Sequence, residues 1–167
     1  MKKKVLSEQA VYIDEVKLPK GFEINPLELS HSIFKGFYYN KTSVASKALD
    51  QLNRYIIENF ELRHKIKLVN KETWGTVFSP NEEFTCLSSV DPLDLKNSSD
   101  YVCLYGINTN DCVVTVFYDD NRRKGKNFKL LLKHNCLVMF PAINTYTINN
   151  DQKSSLNFIQ TITFQYF

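Results

Sequence analysis

Histidine is scarce in this chain of 167 residues: there are three, His31, His64 and His134, and no two stand at metal-ligand spacing. Each reads as an ordinary surface or turn histidine. Glycine and proline are also few, five of each, so most of the chain is expected in regular structure. No stretch approaches the roughly 18 consecutive apolar residues of a membrane span. The lysine-rich start is not followed by an apolar run of signal-peptide length. These two absences point away from a membrane or secreted protein. The four cysteines, Cys86, Cys103, Cys112 and Cys136, lie far apart, without the close pairs of a zinc site. They read as reduced thiols in a reducing compartment. Phosphate-cradling loops and the Gly-x-Ser-x-Gly elbow are missing too. A net charge of +3 is too small to imply nucleic acid by itself.

What is present is a core. Hydrophobic residues make up 43% of the chain, which argues against disorder, and a chain of this length fits one domain without a disulfide or metal staple. Residues 1–40, interrupted by Pro19, Gly21 and Pro26, read as an irregular, extended N-terminal arm. Within it, Ser32–Tyr39 reads as a short strand or as an apolar clasp on a neighbouring surface. Residues 41–167 read as the domain proper. Val44, Ala45, Ala48, Leu49, Leu52, Tyr55 and Ile56 fall on one helical face, predicting a helix over 43–59 capped by Thr42 or Ser43 and lying on a sheet. From residue 63 the period changes to two. Strands are predicted around Ile66–Leu68, Trp74–Phe78, Phe84–Ser88, Tyr101–Ile107, Cys112–Tyr118, Phe128–Leu132, Cys136–Phe140, Tyr146–Ile148 and Phe158–Phe167. In the last of these, Phe158, Ile162, Phe164 and Tyr166 share a face with only Gln160 polar among them, opposite Ile159, Thr161, Thr163 and Gln165. One helix followed by many short strands predicts a mainly-β sandwich or barrel.

From Trp74 onward the chain resembles the iron(II)/2-oxoglutarate oxygenases frequent in tailed-phage genomes. Four pieces carry the likeness: Trp74–Phe78, Ser98–Tyr105, Cys112–Asp120, and Asn135–Ala142 with its Phe140-Pro141, together with Ile162–Phe164. The resemblance implies a double-stranded β-helix, or jelly-roll, with the helix ahead of its first core strand. It also implies where an active site would stand, and there the chain departs from the pattern. Such an oxygenase holds iron with two His and one carboxylate. The stretch that would carry the first ligands, Phe84–Asp91, has no histidine. Tyr146 stands where the distal histidine is expected. No arginine follows Arg123, so the 2-oxoglutarate anchor near the last strand is missing. Cys86, near the implied site with Glu82 and Glu83, lacks an adjacent histidine that would activate it.

The expectation is therefore a jelly-roll with no catalytic residues, no metal and no cofactor. Such a domain would serve as a structural, assembly or protein-binding module, first of all as a tailed-phage neck, tail or head-attached protein present in several copies. The alternatives are an active oxygenase with atypical ligands, such as Asp91 and Tyr146, and a small viral inhibitor or regulator of a host protein. Candidate partner contacts are Phe34, Phe37, Tyr38 and Tyr39 in the arm, and the basic cluster Arg122, Arg123, Lys124 and Lys126 in a predicted hairpin turn. That cluster is more simply read as a solvated turn whose charges discourage edge pairing. The partners expected are proteins, other copies of the chain or virion components, with no membrane and with nucleic acid disfavoured.

Overall fold

The computed structural model describes residues 1–36, 41–79, 86–150 and 156–167. In chain order the elements are β1 (Tyr12–Glu15), α1 (Pro26–Lys35), α2 (Lys47–His64), β2 (Leu68–Phe78), a 3₁₀ turn (Leu95–Asn97), β3 (Tyr101–Asn108), β4 (Cys112–Asp119), β5 (Gly125–Leu131), β6 (Cys136–Pro141), β7 (Thr145–Asn150) and β8 (Asn157–Tyr166). The strands form two antiparallel sheets, one in the order β1-β6-β3-β8-β2 and one in the order β5-β4-β7. The two face each other as a jelly-roll, the fold that the family resemblance implies. The helices cover the outer face of the larger sheet.

This layering makes two cores. Between helices and large sheet lie Ile33, Leu49, Leu52, Ile56, Phe60, Cys103, Tyr105, Met139, Ile162 and Phe164, among others. Between the sheets lie Val102, Leu104, Val114, Val116, Val138, Phe140, Tyr146 and Ile159. Strands β3 and β8 are covered on both sides, so nearly every residue in them is buried. The two faces read from the sequence of the last strand are the two cores: Phe158, Ile162 and Phe164 meet the helices, and Ile159 faces the small sheet. Gln160, fully buried on the helix side, donates from Nε2 to Thr73 Oγ1 at 3.1 Å. Each fully buried aliphatic side chain contributes about 1.5–3 kcal/mol, which is what holds the layers together.

The N-terminal 40 residues differ from the expected irregular arm. Tyr12–Glu15 is an edge strand on β6, and Pro26–Lys35 is a second packed helix where the periodicity predicts only one. Asn25 caps that helix by accepting from the Leu27 and Glu28 amides, and Pro26 occupies its first turn. A proline there starts a helix rather than breaking it, because its missing N–H would have no partner in any case. Ser32–Lys35 is accordingly helical, not extended, and Phe37, Tyr38 and Tyr39 lie outside the described residues. The second helix begins later than predicted, after Ser46, and ends later, at a left-handed Lys65. Thr42 does not cap it; its backbone exchanges two hydrogen bonds with Gly75 on β2. Strand β2 is continuous through the polar Asn70-Lys71-Glu72, where a bulge shifts its register on β8.

Candidate functional site

The stretch implied to carry the first metal ligands and the strand implied to carry the distal one do meet. Leu87 and Tyr146 form an isolated antiparallel bridge, with the Leu87 amide donating to the Tyr146 carbonyl at 2.7 Å and the reverse bond at 3.0 Å. Both side chains turn inward, onto the core between the sheets. The Tyr146 ring is 4% exposed and stands edge-on to Phe140, with centroids 5.3 Å apart. Burial pushes its hydroxyl above the ordinary tyrosine range, while Ser89 beside it acts weakly the other way. A phenol held protonated is a poor ligand for iron(II), and Leu87 offers none.

The described residues nearby do not supply the rest of a metal-binding set. Among the described residues no three His, Cys, Asp or Glu side chains gather as a metal-binding group. Asp91 is an exposed turn residue, its carboxylate accepting from the Leu93 amide at 2.9 Å. Cys86 is exposed, and Glu82, Glu83 and Phe84 lie outside the described residues. His31 and His64 belong to the helices, on the far face of the large sheet, and His64 packs at a tilt against the rings of Tyr12 and Phe60. His134 sits in the β5–β6 turn with Nδ1 against the Ile107 carbonyl, separated from Tyr146 by the whole length of β6. The inward-facing positions of β8, which precede Gln165, are Asn157, Ile159, Thr161 and Thr163, so no cation stands there to receive a carboxylate.

No protein-family model matches the chain, and no curated protein matches it in sequence. Solved structures do. A truncated form of the viral collagen prolyl hydroxylase of Paramecium bursaria Chlorella virus 1 is similar over 100% of this chain and 98% of its own, with a TM-score of 0.65 and 11% identity. A Pseudomonas putida prolyl-4-hydroxylase is similar over 94% of this chain and 92% of its own, with a TM-score of 0.62 and 10% identity. HygX of Streptomyces hygroscopicus, solved with nickel and 2-oxoglutarate bound, covers 94% of this chain with 82% of its own, at a TM-score of 0.63 and 6% identity. The fold is that of the iron(II)/2-oxoglutarate oxygenases. At such identities the likeness carries the architecture alone. The residues that the oxygenase fold would need for iron and 2-oxoglutarate do not fit either group among the described residues of this chain.

A second feature lies on the outer face of the small sheet, at the end where β4 turns into β5. Asn127, Phe117 and Thr145 are paired across β5, β4 and β7 and form the floor of a recess of about 540 Å³. Gln9, Asp119, Lys126, Ile143 and Asn144 border it. Gln9 straps it from the N-terminal segment, donating from Nε2 to the Asp119 carbonyl at 3.2 Å and accepting from Asn144 Nδ2 at 3.4 Å. Sequence reasoning misses this recess, since its parts are far apart in the chain; only the basic turn on its rim stands out there.

That turn is ordered by Asp120. Its Oδ1 accepts from the Arg122 and Lys124 amides at 2.8 and 3.0 Å, and its Oδ2 accepts from the Arg122 guanidinium at 2.8 Å. The guanidinium, with the Lys124 amide, holds the Asp120 carboxyl below the usual carboxylate range. Arg123 takes a left-handed conformation, φ 59°, at the tip. Arg122, Arg123, Lys124 and Lys126 are thus together and exposed on the hairpin. Phe34, half exposed on α1, is on the opposite layer of the molecule, so the two groups of candidate contacts do not form one surface.

Proposed function

We propose that this chain is a non-catalytic form of the oxygenase fold that works by binding proteins, as a structural or assembly component. The observation that carries this reading is the Leu87–Tyr146 bridge: the two segments implied to hold the metal meet through an aliphatic side chain and a buried phenol. With no imidazole within the sheets and no cation on the inward face of β8, the fold keeps its packed cores while the described residues bring together no donor set for oxygen activation. The resemblance to the phage-borne oxygenases makes a tailed-phage particle the place to look first, with several copies per assembly.

The test is anaerobic titration with iron(II) and 2-oxoglutarate, followed by a succinate assay in air. The expected result is no stoichiometric metal uptake and no succinate above a protein-free blank. Stoichiometric iron with succinate turnover abolished in Tyr146→Phe would establish an oxygenase with atypical ligands instead. Mass spectrometry of purified particles decides the virion part of the proposal. Its absence from particles, with a single stoichiometric host protein recovered in its place, would favour a regulator.

A further inference from the structure

The recess and the hairpin beside it form one surface, and its chemistry names a partner. Residues 119–129 hold five Lys and Arg against two Asp, an excess of +3, which equals the net charge of the whole chain. The remainder is neutral, so the positive potential is concentrated at this end of the small sheet. Arg122 is committed to Asp120. Arg123, Lys124 and Lys126 extend from a turn already held in shape, so a partner need not order the turn on binding.

The backbone next to these cations is also available. In the small sheet β5 is an edge strand, paired only with β4 among the described residues, and Gly125–Lys129 is exposed throughout. An exposed edge offers a row of main-chain donors and acceptors to an extended segment. Lys126 and Lys129 on that strand oppose pairing with a second copy, which would bring like charges together, and they favour an acidic strand. The recess alongside offers an apolar pair, Phe117 and the 59% exposed Ile143, flanked by the amides of Gln9, Asn127 and Asn144. Amides beside these two apolar side chains suit a peptide with alternating polar and apolar side chains. A nucleic acid would want aromatic platforms among the cations. Phe128, the exposed aromatic of β5, points to the other face of the sheet from Asn127.

We infer that the β4–β5 hairpin, the open edge of β5 and the adjoining recess dock an extended acidic segment of a partner protein. This rests on the protein-binding reading above and specifies its partner. The probe is a fluorescein-labelled peptide of about ten alternating glutamate and leucine residues, long enough to run along the edge strand and into the recess. It is titrated with the full chain by fluorescence anisotropy, beside a lysine–leucine counterpart and a labelled DNA single strand. The acidic peptide binds and the basic one does not, and binding weakens between about 0.05 and 0.2 M salt. Reversing Arg123, Lys124 and Lys126 to Glu together weakens binding about tenfold or more. Ile143→Asp, at the far wall of the recess, weakens it about threefold or more, whereas Lys47→Glu on α2 leaves it unchanged.

All five positions are exposed, so the variants keep the fold, which a thermal melt verifies. The inference is overturned if the acidic peptide does not bind, or if neither the triple reversal nor Ile143→Asp matters. It is overturned equally if the DNA strand binds as tightly and responds alike, which would make the surface a polyanion site. A concentration-dependent dimer abolished by the triple reversal would give it to a second copy. Succinate turnover by the unaltered chain would sink the non-catalytic reading, with anisotropy still deciding for or against the acidic segment. Absent peptide binding without turnover would sink this inference alone.

Discussion

If Tyr146 is a core residue in the place of a ligand, its ring should matter far more than its hydroxyl. The ring is 4% exposed, rests edge-on against Phe140 and is paired across β7 and β4 with Val116 in the core between the sheets. Truncation to alanine removes that ring from a site walled by two sheets, which cannot collapse to fill the space. Large aromatic-to-alanine changes in such settings cost about 3–5 kcal/mol. Tyr146→Phe keeps the ring and removes a hydroxyl whose proton burial already holds in place, so its cost is about 1 kcal/mol or less. Urea unfolding followed by the fluorescence of Trp74, the chain's one tryptophan, measures both. With a denaturant slope of about 2 kcal/mol per molar, the alanine variant shifts the midpoint down by about 2 M and the phenylalanine variant by about 0.5 M or less. The reasoning fails if Tyr146→Phe is as damaging as Tyr146→Ala, which would mean that the hydroxyl holds something essential. It fails also if Tyr146→Ala is harmless, since the ring would then not be part of the core.

Four further outcomes are expected. Gly106→Ala places a Cβ 2.3 Å from the Lys133 backbone oxygen, which cannot move without opening the β5–β6 turn, and costs about 3 kcal/mol. Gly125→Ala, with nothing within 4 Å of the new carbon, stays within about 0.5 kcal/mol of the parent in thermal or urea unfolding. Ellman's reagent should modify exposed Cys86 first and half-buried Cys136 slowly. Cys103 and Cys112 should react only after unfolding, because burial excludes the reagent and pushes both thiols up, Cys112 to about 12; reaction of all four in the native protein would contradict the buried assignments. The Asp120 turn should respond to acid with a definite sign. Its folded carboxyl is lowered, so the order it confers is complete above the unfolded value of about 4 and is lost as pH falls through the folded one. The Arg122 and Lys124 amide resonances should report that step, and Asp120→Asn should remove it.

The strands were legible where burial imposes a pattern. Runs such as Tyr101–Ile107 and Cys136–Phe140 announce themselves because a strand between two layers must be apolar on both faces. The helix of the second chain segment was legible for the same reason, through Leu49, Leu52 and Ile56, although its limits shifted toward Phe60 and His64. Strand β1 was not, since four alternating residues on a sheet edge carry no strong period, and their state is decided by β6. The first helix has a local signal in Asn25-Pro26 that reads equally as a break, because a proline marks a start or a stop according to whether the residues after it find a surface to pack on.

By itself, then, the sequence determined that the core is built from short strands and one amphipathic helix, and that none of its three histidines falls where the resembled family carries a ligand. These are properties of composition and near-neighbour period, which survive without knowledge of distant contacts. Only the tertiary structure decided that Leu87 lies against Tyr146, and that Gln9, Phe117, Asn127 and Thr145 share a recess beside the basic hairpin. Those juxtapositions depend on the register between strands remote in the chain, and register is set by the packing of whole sheets rather than by any local run of residues.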